Sequence, residues 1–409
     1  MGTALLVGAT GVERVAVGRE TPVADSAQKQ NPALPLRPRV HVAQAEAAGE
    51  GGANEGGGPV LGTITEFRLS SSDPDAFAYD AKAQVSGYVD LVTARYAAAQ
   101  EAAAALRDAV NTLRDMPDAA RLEAARQAWL TARAAYVETE AFLFYAGPVD
   151  GPGGPFPRLN GWPVDPPTIE ALVADPAQSL GFRALAKLNT VEPPVKITTG
   201  LHVLEYLLWG ADGTLTPKAF AGETGARRAE YAGSLAQLFL NDLGVVAAAW
   251  APGQNNYRAS VEAMDQRNAL GRAFNGMTVL LGYEIPLRRI GAGLFPANEN
   301  FQPSPFSDSS HEDMAHSFAG AKAVYFDAGL DKLVEATDAE LAAKLAAEFD
   351  AAEVAVAAMD APYERFLAPP SGSPDRATAE AAVKALTNLA RDLRQAGNRL
   401  GILVVVPGM

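Results

Sequence analysis

The sequence predicts an all-α protein built of two antiparallel helical bundles related by a degenerate internal repeat. Three observations carry that expectation. Apolar residues recur at three- and four-residue spacing through most of the chain, and no alternating strand pattern of useful length occurs. Gly/Pro-rich segments separate the periodic stretches, which suits long crossovers between helices. A faint echo links Tyr136, Glu138 and Glu140 before one Gly/Pro loop to Tyr283, Glu284 and Pro286 before another.

Residues 1–75 are rich in Gly, Ala, Pro and polar residues with no helical period, and read as a leader or linker. From Pro74 to about Asp115 an alanine-rich helix carries an apolar stripe of Tyr79, Val85, Tyr88, Leu91, Val92 and Tyr96. Asp118 caps a second helix that runs to about Tyr145. A long loop, Ala146–Pro167, follows; its aromatic-bearing turns argue for order and function. The run Leu201–Trp209 lies between glycines and reads as a buried helix, with Thr199 as its expected N-cap. Further helices are expected near 224–250, 258–289, 310–328, 337–367 and 376–401. The resulting organisation is a leader to residue 75, a first bundle over 76–225 and a second over 226–409.

The composition, 48% hydrophobic and 20% charged, is that of a globular protein with a substantial core. A net charge of −14 argues against nucleic acid or an anionic membrane surface as partner. The lack of cysteine excludes disulfides, thiolate metal sites and a cysteine nucleophile. No run of 18 apolar residues occurs, so no transmembrane segment is expected. The N-terminal region makes a poor secretory signal, although Val42–Ala45 resembles a signal-peptidase cleavage site.

Within Leu201–Trp209 only His202 and Glu205 interrupt an apolar run, and their i, i+3 spacing sets them on one helical face. A buried carboxylate needs a proton, a cation or several donors. The pair is either half of a metal site, with a neutral imidazole and a hard oxygen, or a self-satisfying hydrogen bond. Two such ligands are too few for tight binding. On the preceding helix Trp129, Arg133, Tyr136 and Glu140 follow i, i+4, i+7, i+11 and share a face. Glu140 could complete the His202/Glu205 set with Arg133 orienting it, or the two could form an ion pair with each other. His311 and His316 stand five apart, which rules out the two-histidine helix of a zinc peptidase. Asp308 or Ser309 reads as a helix cap there, with Glu312 and Asp313 in the first turn.

Several segments, in order, resemble the imelysin-like family. Gly200 to Glu205 is similar to its G-x-H-x-x-E motif. Trp129 to Phe142 resembles the helix before its Gly-Pro-(Ile/Val)-Asp turn, here Gly147 to Asp150. Leu159 to Pro163, Trp209-Gly210, Gly282 to Glu284 and Phe306 to Asp308 fit the same order. The likeness spans roughly residues 76–400 and is strongest to the branch called iron-regulated protein A. The resemblance implies two helical bundles with a site between them, and a periplasmic or envelope-associated protein linked to iron uptake. It implies His202, Glu205 and Glu140 as metal ligands, with Arg133, Glu284 and Asp308 supporting. The absent lipobox cysteine departs from the family pattern.

The resulting expectation is a protein that binds a divalent metal ion or its chelate, iron first and zinc, copper or manganese as alternatives, in concert with an envelope transport component. The competing expectations are a metallopeptidase using Glu284 or Asp308 as base, and a carbohydrate, haem or peptide site in a groove lined by Trp129, Tyr136, Trp162 and Trp209.

Overall fold

In the computed structural model, residues 71, 76–189, 196–295 and 302–408 are described. The expected leader, Ser71 apart, lies outside them. Helix α1 (Lys82–Asp115) buries Val85, Tyr88, Val89, Val92, Tyr96, Ala99, Ala103, Leu106, Val110 and Leu113. That three-and-four spacing makes one continuous apolar face over 34 residues, roughly 50 Å of helix. The face packs against α2 (Ala119–Val137) and α7 (Gly222–Ala249). Asp118 caps α2 as expected, accepting the Arg121 N–H at 2.8 Å.

The region 138–200 holds more structure than its Gly/Pro content suggests. Helix α2 stops at Val137, short of the expected Tyr145, and a 3-10 turn (Glu140–Phe142) follows. The segment read as loop contains α3 (Phe156–Leu159), and α4 (Pro166–Ala174) and α5 (Phe182–Leu188) come after it. All nine residues of α6 (Leu201–Trp209) are buried. Gly200, not Thr199, is its N-cap, and it adopts φ +107°, a conformation L side chains rarely take. The Thr199 hydroxyl is buried with no hydrogen-bond partner.

Helix α2 fixes α6 at both ends. The Trp129 indole N–H donates to Leu201 O at 2.9 Å. Arg126 donates to Leu208 O at 3.1 and 3.0 Å, where a cation also meets the negative end of the helix dipole. Helix α7 is long and apolar enough to cross a bilayer by length and composition, yet half of that stretch is buried against its neighbours. The division expected at residue 225 falls within its first turn.

The stretch expected as one helix over 258–289 is three elements: α8 (Tyr257–Glu262), α9 (Gln266–Val279) and a π-helical segment (Leu280–Gly291). Pro286 lies inside the last, where its missing N–H breaks the α-helical ladder. Then come α10 (Ser310–Phe326), α11 (Leu330–Thr337), α12 (Ala339–Ala357) and α13 (Pro374–Arg399). Helix α13 packs on α12, α9 and the π-helical segment, while α10 bridges to α2 and the 140–142 turn. Among the described residues there is no β-strand, as the all-α expectation requires.

Candidate functional site

Each buried charge expected from sequence lies where α2, α6, α10 and the π-helical segment converge. Arg133, the one charged residue on the core face of α2, is 2% exposed. It pairs with Asp313 of α10 and not with Glu140: its Nε and Nη2 donate to the carboxylate at 2.8–3.0 Å in a bidentate fork. The Ser304 hydroxyl gives Asp313 a further hydrogen bond at 2.6 Å. Asp313 lies in the first turn of α10 as expected, and it is buried there, 2% exposed.

Glu140 is held by a different cation. Arg289 of the π-helical segment donates to its Oε2 at 2.8 Å, and the Ser317 hydroxyl does so at 2.7 Å. Burial pushes this carboxyl up, but Arg289 and Arg133 outweigh it and hold Glu140 below the usual range. The turn carrying Glu140 is gripped between helices at glycines. A Cβ on Gly320 would stand 2.2 Å from Glu138 O, and one on Gly276 2.1 Å from Ala141 O.

His202 and Glu205 face each other as their spacing predicts. His202 Nδ1 lies 3.4 Å from Glu205 Oε2, long for a hydrogen bond. The other carboxylate oxygen accepts from the Ser307 N–H and hydroxyl, both at 2.8 Å. Burial drives the two groups in opposite directions, each toward neutrality. It raises Glu205 to about 8 despite the Ser307 bonds, and lowers His202 well below the usual histidine range, helped by Arg133 and Arg289.

Asn160 joins the two halves. Its Oδ1 meets His202 Nε2 at 3.0 Å and accepts from Arg133 at 2.6 Å, while its amide nitrogen reaches Glu140 Oε1 at 3.3 Å. Above this layer, Trp162 stands edge-on to His202 at 5.0 Å, and Phe306 packs against Trp162 and Tyr206. Trp162 and Phe306 are half-buried, so the imidazole lies one ring beneath the surface.

The remaining sequence candidates make other contacts. Glu284 is half-buried, 3.8 Å from Arg289. Asp308 accepts the Tyr363 N–H at 3.2 Å, and Ser309 is the N-cap of α10 without a side-chain capping bond. The aromatic groove does not form: Trp129 and Tyr136 are 0% and 1% exposed core residues, and Trp209 packs edge-on to Trp129 at 5.3 Å.

The site therefore has two electrically distinct parts. Arg133, Asp313, Arg289 and Glu140 form two ion pairs; His202 and Glu205 form a neutral pair. Among the described residues no group of three or more His, Asp or Glu side chains is arranged to hold a metal ion. Glu140 does not fit a ligand role, because Arg289 and Ser317 already occupy its Oε2 and the Asn160 amide its Oε1. His202 and Glu205 do fit as two of the ligands: donors each about 2.0–2.2 Å from one ion at a near-tetrahedral angle stand about 3.4 Å apart. Sequence reasoning assigned no site role to Asn160, Ser307 or Arg289, and gave Asp313 only a place in the first turn of its helix. The available signal was a count of charges: buried Arg133 and Arg289 each require an acid.

An all-α protein with buried ion pairs beside a His/Glu pair is the class that fold and site define. The family model described as Imelysin matches residues 92–393, and the chain belongs to this family. It is 26% identical over 323 residues to iron-regulated protein A of Synechococcus elongatus, covering 74% of this chain and 83% of that protein. Its fold is similar to a structure assigned as an iron-regulated protein A precursor from Parabacteroides distasonis. The TM-score is 0.66 at 18% identity, covering 81% of this chain and 96% of the other. An imelysin-like protein from Psychrobacter arcticum is similar at a TM-score of 0.63 and 19% identity, covering 80% of this chain and 99% of that one.

Proposed function

We propose that this protein is an exported, envelope-associated binding protein of iron homeostasis in which His202 and Glu205 hold a divalent cation. The observation that carries the reading is their 3.4 Å separation: too long to satisfy a buried pair well, and the span of two donors on one ion. Its partner ligand is water or a chelator of the cation, because two protein donors leave coordination positions open. The iron link and the export draw support from the relatives, one named iron-regulated protein A and another assigned as a precursor. Mixed nitrogen–oxygen donors also accept zinc, copper or manganese. An envelope transport component would receive the cargo.

Binding is favoured over hydrolysis because the acids considered as general base are engaged elsewhere, Asp308 with the Tyr363 N–H and Glu284 near Arg289. The test is anaerobic Fe(II) titration of wild type, His202→Ala, Glu205→Ala and Glu140→Gln. Either of the first two should weaken binding at least 10–100-fold, the scale seen on losing even an outer-shell partner. Glu140→Gln should cost stability and leave affinity within a few-fold. Equal affinity in wild type, His202→Ala and Glu205→Ala removes the proposal.

A further inference from the structure

Two charged groups decide the orientation of a third, and through it the tautomer of a fourth. Arg133 Nη1 donates to the Asn160 amide at 2.6 Å. A guanidinium has no acceptor, so the amide oxygen must be the atom facing it. At the other end, 3.3 Å away, is Glu140 Oε1. Glu140 is ionised against its two arginines and can only accept, so the amide nitrogen must face it. The usual ambiguity in placing an amide's oxygen and nitrogen is thereby resolved by charge.

His202 Nε2 lies 3.0 Å from that same oxygen. The contact is a hydrogen bond only if Nε2 carries the proton. A neutral ring carries just one, so Nδ1 is left as a bare lone pair aimed at Glu205 Oε2. We propose that Asn160, oriented by Arg133 and Glu140, is a positioning residue that selects the Nε2–H tautomer of His202 and leaves Nδ1 free as a donor atom. The alternative, Nδ1–H donating to an ionised Glu205, would set the Nε2 lone pair against the amide oxygen's lone pair. Metal-ligating histidines are commonly held this way, with the far N–H donated to a fixed acceptor. The purpose assigned to the tautomer rests on the cation-binding reading; the tautomer itself does not.

The test is nitrogen NMR of the full-length, 15N-histidine-labelled protein without metal. Only four histidines contribute, and His202→Gln assigns the signal. Wild type should show a pyridine-type Nδ1 and a pyrrole-type Nε2 at His202. Asn160→Leu removes the acceptor and should move the pattern toward Nδ1–H. Asn160→Asp combined with Glu140→Gln keeps oxygen toward both Arg133 and His202, restores a donor between positions 160 and 140, and should preserve the wild-type pattern. A protonated Nδ1 in wild type overturns the assignment, as does an unchanged pattern in Asn160→Leu. Should the leucine variant not fold, wild type and the double variant still decide. Zinc added alone to wild type separates the two readings. A pyridine-type Nδ1 that ignores zinc keeps the tautomer assignment and removes the cation, whereas a protonated Nδ1 overturns the assignment whether or not zinc binds.

Discussion

Breaking the Arg133–Asp313 pair should be among the most destabilising single changes available in this molecule. Both side chains are 2% exposed, and three Arg133–Asp313 contacts of 2.8–3.0 Å join them. Removing one partner strands a charge out of water, which costs about 3–5 kcal/mol, against about 0–1 kcal/mol for an exposed pair. At about 2 °C per kcal/mol for a domain of this size, Arg133→Met or Asp313→Leu should each lower Tm by roughly 6–10 °C. The double variant removes both charges and leaves only Ser304 and Asn160 short of a partner. It should be less destabilised than the sum of the singles by about 2 kcal/mol or more. Urea unfolding of the four proteins at one pH measures the cycle. Singles that each cost under about 1 kcal/mol, or a double equal to their sum, would refute the view that these charges depend on one another.

Three further outcomes follow. Glu205 is raised to about 8, so the native state keeps a proton that the unfolded chain releases above about 4.5. Its contribution is complete below about 4.5 and is lost as pH rises toward 8, at about 1.4 kcal/mol per unit. His202, lowered well below 6.5, works in the opposite sense below that value, so the Glu205 slope stands out between about 6.5 and 8. Stability measured against pH should fall there more steeply in wild type than in Glu205→Gln, and parallel curves would contradict the assignment. Gly320→Ala should cost about 1–3 kcal/mol, because its Cβ would lie 2.2 Å from the Glu138 carbonyl. Gly271→Ala, whose Cβ meets Ile402 at 3.8 Å, should be neutral or mildly stabilising in thermal melts.

The helical class was legible because the periodicity of α1, α7 and α13 leaves no competing pattern. Boundaries were less so. The end of α2 at Val137 is imposed by packing of the 138–142 turn against Gly276 and Gly320, residues more than 130 positions away. The break at Leu280 follows from Pro286, which was visible but compatible with a simple kink. At the site, His202 and Glu205 stood out because an apolar run makes a polar residue conspicuous. Asp313 did not, because an acid in a first turn has a sufficient local explanation in the helix dipole. Asn160 was equally hidden in a Gly/Pro-flanked turn, since an uncharged amide gives no clue to whether it faces solvent or bridges two charges.

On the proposed reading, the two halves of this network would treat an incoming cation differently, because their charges are matched in different ways. Arg133 with Asp313 and Arg289 with Glu140 pair charge for charge at hydrogen-bond distance, and Glu284 stands a further 3.8 Å from Arg289. A divalent ion entering between them would have to displace a guanidinium, leaving that cation buried without its acid at about 3–5 kcal/mol. His202 and Glu205 are also neutral, but by a different route: one carboxyl proton and an uncharged ring, with no resident cation to expel. Exchanging that proton for a divalent ion would make the Glu205 carboxylate a ligand, leave Ser307 bonded to its other oxygen, and leave one positive charge for an anionic outside ligand to balance. The paired arginines then hold the scaffold rigid and keep His202 deprotonated at Nδ1. That division of labour is why, on the proposed reading, Glu140→Gln should show in stability and Glu205→Ala in binding, although both are buried glutamates of one polar network.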